Sequence, residues 1–264
     1  SLGVGLPMLI DIIAGARPNF MKIAAIAKAL DKRIEKCSPL RYRIIHTGQH
    51  YDARMSEDFF TQLGIPQPAV NLEVGSGSQA EQTAAIMMRY ERLLLASPSD
   101  VCLVVGDVTS TMACAITAQK LHVKVAHVEA GIRSFDWTMP EEVNRLVTDS
   151  ITNWFFTTSE FANENLRRSG IDSSRIFFVG NTMIDTLLEN VHRLKKPAFW
   201  EDEHLSPQSY LVMTLHRPAN VDNVESMQSL LHAVCVEARG LKVVFPVHPR
   251  TSKKISDLED KPEN

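Results

Sequence analysis

Short apolar runs alternate with longer amphipathic segments along most of the chain. The runs are nearly continuous, which is typical of strands buried on both faces of a parallel sheet. They are Met8–Ile13, Tyr42–His46, Val101–Val105, Val123–Val128, Trp154–Thr157, Ile176–Val179, Tyr210–Thr214 and Lys242–Val247. Because helical segments separate them, the pattern predicts an α/β protein with parallel sheets.

The pattern restarts after Gly180. Before that residue, strand and helix signals follow one another closely. Residues 195–206 are polar and predict a linker, and only two clear strands come after it. A two-stranded unit cannot bury both of its faces. We therefore expect the second part of these 264 residues to be an incomplete domain.

Composition and charge narrow the range of functions. The formal net charge of −3 does not favour nucleic acid or an anionic membrane as a partner. No apolar run approaches the roughly 20 residues that a membrane-spanning helix needs. The apolar start has no basic region of the kind that opens a signal peptide. The four cysteines form no C-x-x-C pair, and this predicts free thiols in a reducing cytoplasm.

Three acidic residues lie where the predicted strands end. Asp107 follows one strand, Glu129 closes the next, and Glu141 opens a helix just after Pro140. In an open parallel sheet, ligands bind in the crevice outside the carboxyl ends of the strands. A carboxylate at the end of a buried strand costs free energy unless it is paired or used. Arg133 is a candidate partner for Glu129.

Each of these acids also has a structural explanation. Asp107 can cap the following helix, and Thr109 or Ser110 can serve as its N-cap. Glu141 suits the positive end of a helix dipole. It also lies four residues before Arg145, at the spacing of a helical ion pair.

Basic residues and histidines lie at other predicted strand ends. Arg17 stands beside a helix N-terminus, and Lys22 is one turn further along. Free N–H groups at such a terminus attract anions, although a plain strand-to-helix turn explains the same residues. His46 and His50 flank the end of the second strand, where a histidine is more often structural than functional. Zinc is not predicted, because no further ligands stand at short spacing.

The residues by themselves predict an α/β protein that handles a small anionic ligand. The usual dinucleotide and P-loop fingerprints are absent. The motifs that remain occur in a fixed order from Met8 to Arg250. They are Gly15-Ala16-Arg17-Pro18 with Lys22, Gly106-Asp107-x-Thr109-Ser110-Thr111, His127-Val128-Glu129-Ala130-Gly131-Ile132-Arg133, Pro140-Glu141-Glu142-x-Asn144-Arg145, Gly180-Asn181-Thr182-x-Ile184-Asp185, and His216-Arg217. This ordered set resembles the UDP-N-acetylglucosamine 2-epimerase family.

The resemblance implies a fold and a domain arrangement. The family has two Rossmann-like domains with parallel sheets, as in glycosyltransferases of the B type. It implies an N-terminal domain over residues 1–180 that carries the catalytic carboxylates, and a partial UDP-binding domain over residues 181–264. Typical members continue with further strands and helices that hold UDP. We therefore expect a C-terminally truncated chain that is inactive alone.

The resemblance also implies a reaction, namely the interconversion of UDP-GlcNAc and UDP-ManNAc. UDP leaves anti from C1 as the C2 proton is removed, and it returns to the 2-acetamidoglucal intermediate. Acid and base groups on two faces of the sugar are required. By motif match the catalytic residues are Asp107, Glu129, Glu141 and His216. The substrate-binding residues implied are Arg17, Lys22, His50, Arg145, Arg217 and His248.

Further expectations come from the same resemblance. It implies a UDP-sugar substrate, a homodimer, a cytoplasmic location, and neither a metal nor a cofactor. Asn19 departs from the family pattern, where many members have Glu. The motifs do not separate hydrolysing relatives or enzymes for other UDP-amino sugars, so both stay open. Two alternatives also stay open, a glycosyltransferase of the same architecture and a non-catalytic remnant.

Overall fold

The computed structural model describes residues 7–36, 38–48, 60–215, 223–247, 251–252 and 255. The chain forms two compact units, residues 1–192 and residues 193–264. Each unit is described by itself below. The predicted domain boundary after Gly180 stays a prediction.

The described part of the first unit contains a sheet of seven parallel strands. Its order is β3-β2-β1-β4-β5-β6-β7. The strands are β1 Met8–Ala14, β2 Leu40–His46, β3 Val70–Asn71, β4 Val101–Val105, β5 Lys124–Val128, β6 Trp154–Thr157 and β7 Ile176–Phe178. The helices are α1 Arg17–Glu35, α2 Gln79–Ala96, α3 Thr109–Lys120, α4 Pro140–Ser150, α5 Glu160–Arg168 and α6 Thr182–Asn190. Single turns of 3-10 helix cover Ser173–Arg175 and Val191–Arg193. The predicted α/β class with parallel strands is confirmed.

Successive residues of the central strands pack in hydrophobic layers on opposite faces of the sheet. Ile12 of β1 packs in the layer that contains Phe20 of α1. Its neighbour Ile13 packs in the layer that contains Tyr90 of α2 and Cys114 of α3. Each large side chain buried in this way contributes about 1.5–3 kcal/mol. Apolar residues on both sides of each strand therefore explain why the sheet is covered on both faces.

The neighbours β1 and β4 form the switch point of the sheet. After β1 the chain continues into α1 on one face, and after β4 it continues into α3 on the other. A crevice opens outside the carboxyl ends of two such strands, where ligands bind in doubly wound sheets. Gly15 lies in the turn after β1, and a Cβ atom there would come within 1.8 Å of Ser110 Oγ. The two turns thus meet in close contact.

Local side-chain signals mark the start of α2 but not that of α3. Ser78 and Glu81 form a capping box at α2, with Ser78 Oγ accepting from the Glu81 amide at 3.2 Å and Glu81 Oε2 accepting from the Ser78 amide at 2.8 Å. The predicted cap of α3 is wrong. Thr109 is the first helical residue, and the N-cap is Val108, which offers no side-chain hydrogen bond.

The second unit contains the parallel strands β8 Tyr210–Val212 and β9 Lys242–Val244. Its described helices are α7 Phe199–Asp202, inside the predicted linker, and α8 Val224–Glu237. Met227 and Leu231 form its small buried core. Across the described ranges of both units, no helix is long and apolar enough to cross a lipid bilayer. The thiols Cys102 and Cys114 are buried and free.

Gly131 provides a test of the packing that positions the turn after β5. Its φ is +78°, and a Cβ atom there would approach the Ala162 carbonyl oxygen to 2.4 Å. Gly170 has a similar φ of +82° but nothing within 4 Å. Both Gly131→Ala and Gly170→Ala incur a left-handed backbone cost of roughly 1 kcal/mol. We expect Gly131→Ala to lower the free energy of unfolding by about 1–3 kcal/mol more than Gly170→Ala, because it also overpacks a rigid backbone. Equal losses in urea denaturation would contradict this.

Candidate active site

Gly106 ends β4 and brings the first acidic residue to the switch point. Its φ is +73°, and its amide donates to the Val128 carbonyl at 3.0 Å. A Cβ atom on Gly106 would lie 3.4 Å from Lys22 Nζ and 3.6 Å from Glu129 Oε2. Asp107 follows directly. The left-handed backbone angle therefore favours a glycine in this turn, and the charged groups lie at van der Waals distance from it.

Glu129 lies directly after β5 in a left-handed conformation, with φ of +67°. It forms an ion pair with Lys22, and the two side chains are 15% and 14% exposed. The contact is electrostatic, because the buried Oε2 atom accepts no well-aligned hydrogen bond within the described chain. Arg133, the partner predicted from the sequence, instead pairs with Asp149 at 2.7 Å. The acid at the strand end is thus paired with a cation from α1.

Arg145 holds Asp107 in place with a guanidinium fork. Its Nε and Nη2 atoms donate to Asp107 Oδ2 at 3.0 Å and 2.6 Å. Its Nη1 atom donates to Glu142 Oε2 at 2.8 Å, so its partner on the helix is Glu142 and not the predicted Glu141. Asn144 adds a hydrogen bond from Nδ2 to the Asp107 carbonyl at 2.8 Å. The second turn of α4 therefore fixes both the backbone and the carboxylate of Asp107.

Glu142 anchors the loop between β5 and α4, a role that the sequence interpretation missed. Its carboxylate is buried and accepts from the amides of Ser134 at 3.0 Å and Phe135 at 3.1 Å. Burial alone would raise the pKa of Glu142. The hydrogen bonds from these amides and from Arg145 outweigh burial and lower the pKa below its ordinary value. The signal was present, since Glu142 lies three residues before Arg145 on a helix.

Glu141 is exposed at the start of α4. It lines a cleft of about 230 Å³ together with Ala16, Gln79 and Thr109. The N-terminal ends of α2, α3 and α4 all reach this cleft. Helix N-termini carry partial positive charge and favour anionic or hydrogen-bond-accepting ligands.

Asn19 joins the two turns of the switch point. It is buried, and its Oδ1 atom accepts from the amides of Gly15 at 3.3 Å and Ala16 at 3.0 Å. Its Nδ2 atom donates to the Val105 carbonyl at 3.1 Å. The amide side chain therefore ties the start of α1 to the end of β4. The sequence marked Asn19 only as a departure from the family pattern.

His46 has the structural role that was the alternative in the sequence interpretation. It is buried and stacks on Phe20 at a centroid distance of 5.4 Å. Its Nδ1 atom accepts from the Gly48 amide at 2.7 Å. Burial lowers the pKa of His46 to about 4, so the ring is neutral at pH 7.

The structure brings four of the predicted site residues together, Asp107 with Arg145 and Glu129 with Lys22. Glu141 lines the neighbouring cleft. Arg17 begins α1 and is described only through its backbone. The remaining predicted residues, His50, His216, Arg217 and His248, lie outside the described residues. The role assigned to each of these residues stays a prediction.

A doubly wound sheet with charged groups at its switch point is the architecture of α/β proteins whose ligand sites lie at the carboxyl edge of the strands. A model of the UDP-N-acetylglucosamine 2-epimerase family matches residues 32–264. The chain belongs to this family, as its motifs predicted.

Relatives and solved structures agree with this assignment. The UDP-N-acetylglucosamine 2-epimerase of Methanocaldococcus jannaschii is 40% identical over 95% of this chain and 69% of its own length. A crystal structure of that enzyme in complex with UDP-GlcNAc and UDP has a TM-score of 0.81 at 40% identity, and covers 95% of this chain and 68% of the other. The UDP-2,3-diacetamido-2,3-dideoxy-D-glucuronate 2-epimerase of Pseudomonas aeruginosa is 39% identical over 95% of this chain and 70% of its own length.

Replacing Glu142 by Gln tests its role as an anchor. The amide group would face backbone donors, and we expect the free energy of unfolding at pH 7 to fall by about 1–3 kcal/mol. A carboxylate with a lowered folded-state pKa stabilises the fold above its unfolded-state pKa, and this is lost as pH falls through the folded-state value. The advantage of the wild type over Glu142→Gln should therefore shrink below the ordinary pKa of 4.5.

The measurement is chemical denaturation of both proteins between pH 7 and acid. Glu141→Gln, which removes the exposed neighbouring carboxylate, is the control. A difference between wild type and Glu142→Gln that stays constant as the pH falls would show that the charge of Glu142 contributes nothing.

Proposed function

We propose that this chain is a UDP-N-acetylglucosamine 2-epimerase that interconverts UDP-GlcNAc and UDP-ManNAc. The chain is a member of this family, and the observation that best supports the proposal is the arrangement of charged residues at the switch point. There Asp107 is held by Arg145 and Glu129 is paired with Lys22. Two acids and two cations at one crevice suit a substrate that carries both a sugar and a diphosphate.

The chemistry requires a base, an acid and a leaving group held in place. A carboxylate takes the C2 proton, the C–H electrons form the C1–C2 double bond, and the C1–O bond breaks to release UDP. The reverse addition delivers a proton to the other face of C2. Carboxylates on separate turns can reach both faces of the sugar ring. We propose Asp107, Glu129 and Glu141 for these roles, with His216 as the further catalytic residue.

The cations of the site serve the diphosphate and the sugar hydroxyls in this proposal. Lys22 stands beside Glu129, and Arg145 presents a planar donor fork. Arg17 stands at the N-terminus of a long helix, where free amides and the dipole favour phosphate. We also propose that His50, Arg217 and His248 contact the substrate.

UDP-GlcNAc is the proposed substrate, because the relatives at 40% identity carry that activity in their names. A 39% identical relative named for a diacetamido uronate makes that sugar the competing candidate. Comparing kcat/KM for the two UDP sugars separates them. A glycosyltransferase is not favoured, and it would leave the C2 proton in place.

Finer properties follow from the same proposal. We propose a cytoplasmic enzyme that supplies precursors for cell-surface polysaccharide. The buried free thiols Cys102 and Cys114 support a reducing compartment. We also propose a homodimer. Sedimentation equilibrium at the monomer mass over the micromolar range would contradict that.

The proposed reaction predicts that the proton on C2 of the sugar exchanges with solvent. Proton NMR of UDP-GlcNAc with the full-length protein in D2O should show loss of the C2 proton signal and the appearance of UDP-ManNAc. Asp107→Asn and Glu129→Gln should each slow this exchange by about 10²–10⁴-fold, the usual contribution of a general acid or base. Glu91→Gln removes an exposed helical carboxylate and is the matched control.

The alternatives give different spectra. Phosphorus NMR that shows free UDP as the end product, with free ManNAc, would indicate a hydrolysing enzyme. Retention of both the C2 proton and the substrate by the folded protein would contradict the proposed function.

A further inference from the structure

A second charged network lies beneath the acidic residues. His127 on β5 is fully buried. Its Nε2 atom lies 2.8 Å from the Gly106 carbonyl oxygen, and its Nδ1 atom lies 2.7 Å from Asp149 Oδ1. The other carboxylate oxygen of Asp149 accepts from the Gly131 amide at 3.0 Å and from Arg133 Nη1 at 2.7 Å.

The hydrogen-bond partners determine where the protons are. The Gly106 carbonyl can only accept, so His127 Nε2 carries a proton. Burial alone would raise the pKa of Asp149, but its hydrogen bond to His127 and its ion pair with Arg133 lower the pKa below the ordinary value. The contact between His127 Nδ1 and Asp149 Oδ1 at 2.7 Å holds a second proton, which joins the ring to the carboxylate.

The network connects the two turns that carry acids. Through Nε2, His127 holds the carbonyl of Gly106, the residue directly before Asp107. Through Asp149 the same network holds the amide of Gly131, two residues after Glu129. Glu129 has a left-handed backbone, which an L-residue keeps only when its surroundings hold it there. Neither His127 nor Asp149 is exposed to a ligand.

We propose that His127 and Asp149 are positioning residues that fix the turn bearing Asp107 relative to the turn bearing Glu129. The inference rests on the proposed function, since it concerns the geometry of those two acids during proton transfer. Misplacement of a catalytic group by about 1 Å can cost on the order of 10²-fold in rate. The pair therefore acts on kcat through Asp107 and Glu129, and it leaves the binding of the substrate largely unchanged.

The first test measures the hydrogen bond between His127 and Gly106 directly. Nitrogen-15 NMR of the wild-type protein should show a proton on Nε2 of His127. An unprotonated Nε2 would overturn the inference, because the Gly106 carbonyl would then lack its donor. This measurement needs no substrate and no turnover, so it stands whether or not the proposed function is correct.

The second test separates hydrogen bonding from simple loss of a buried side chain. In Asp149→Asn, the amide oxygen can accept from Gly131 and Arg133 while the amide nitrogen donates to His127 Nδ1. Every hydrogen bond is kept. Asp149→Ala removes them all. We expect Asp149→Ala to lower kcat by about 10²-fold with KM changed less than about threefold, and Asp149→Asn to keep kcat within about threefold of the wild type.

Thr152→Val is the matched control, because Thr152 is also buried and its hydroxyl donates only to the Thr148 carbonyl. It should leave kcat unchanged. Should Asp149→Ala fail to fold, His127→Leu, which removes only the two His127 contacts, replaces it with the same expected loss of kcat. Folded Asp149→Asn protein that loses as much kcat as either disruptive variant would overturn the inference. So would a disruptive variant that folds and keeps full kcat.

Absence of C2 proton exchange in the wild type would contradict the proposed function. It would not contradict the hydrogen-bond network. In that case nitrogen-15 NMR of His127 in wild type and in Asp149→Asn still decides whether the network exists. A proton on Nε2 in both proteins is the expected result, and its absence in the wild type would overturn the inference.

Discussion

The close approach of two strand ends at Gly106 is the constraint on which the site depends. Glycine adopts its left-handed backbone angle without a steric cost, and the charged ends of Lys22 and Glu129 lie beside it. Its amide bonds to β5 and its carbonyl bonds to His127. The direction in which Asp107 leaves β4 is therefore set by contacts to the next strand along the sheet.

The buried and half-buried acids near this point all have partners. Glu129 is paired with Lys22 and Asp107 with Arg145, while Asp149 lies between His127 and Arg133. Such pairing is required, because an isolated buried charge costs several kcal/mol. Each pair also joins two different elements of the fold. The same contacts that satisfy the charges therefore hold α1, α4 and the strand ends in register.

The sequence predicted the class of fold and the position of the acids well, because both depend on local pattern. Apolar runs of strand length, a capping box at Ser78 and a proline at the start of α4 are signals that neighbouring residues carry. The sequence did not predict which charged side chains pair with each other. Arg133 was assigned to Glu129 by proximity along the chain, but the fold places it against Asp149, sixteen residues further on. The two-residue strand β3 was missed because it is too short to show a period.

The sequence by itself determined that this is an α/β chain of one enzyme family, with acids at the carboxyl ends of its parallel strands. Order along the chain and spacing within each motif are enough for that. Only the tertiary structure decided which cation meets which acid, that Asn19 ties two turns together, and that Glu142 anchors a loop. The physical reason is that these partners are brought together by the packing of α1 and α4 against the sheet. Separation along the chain says nothing about such contacts until the strand order is known.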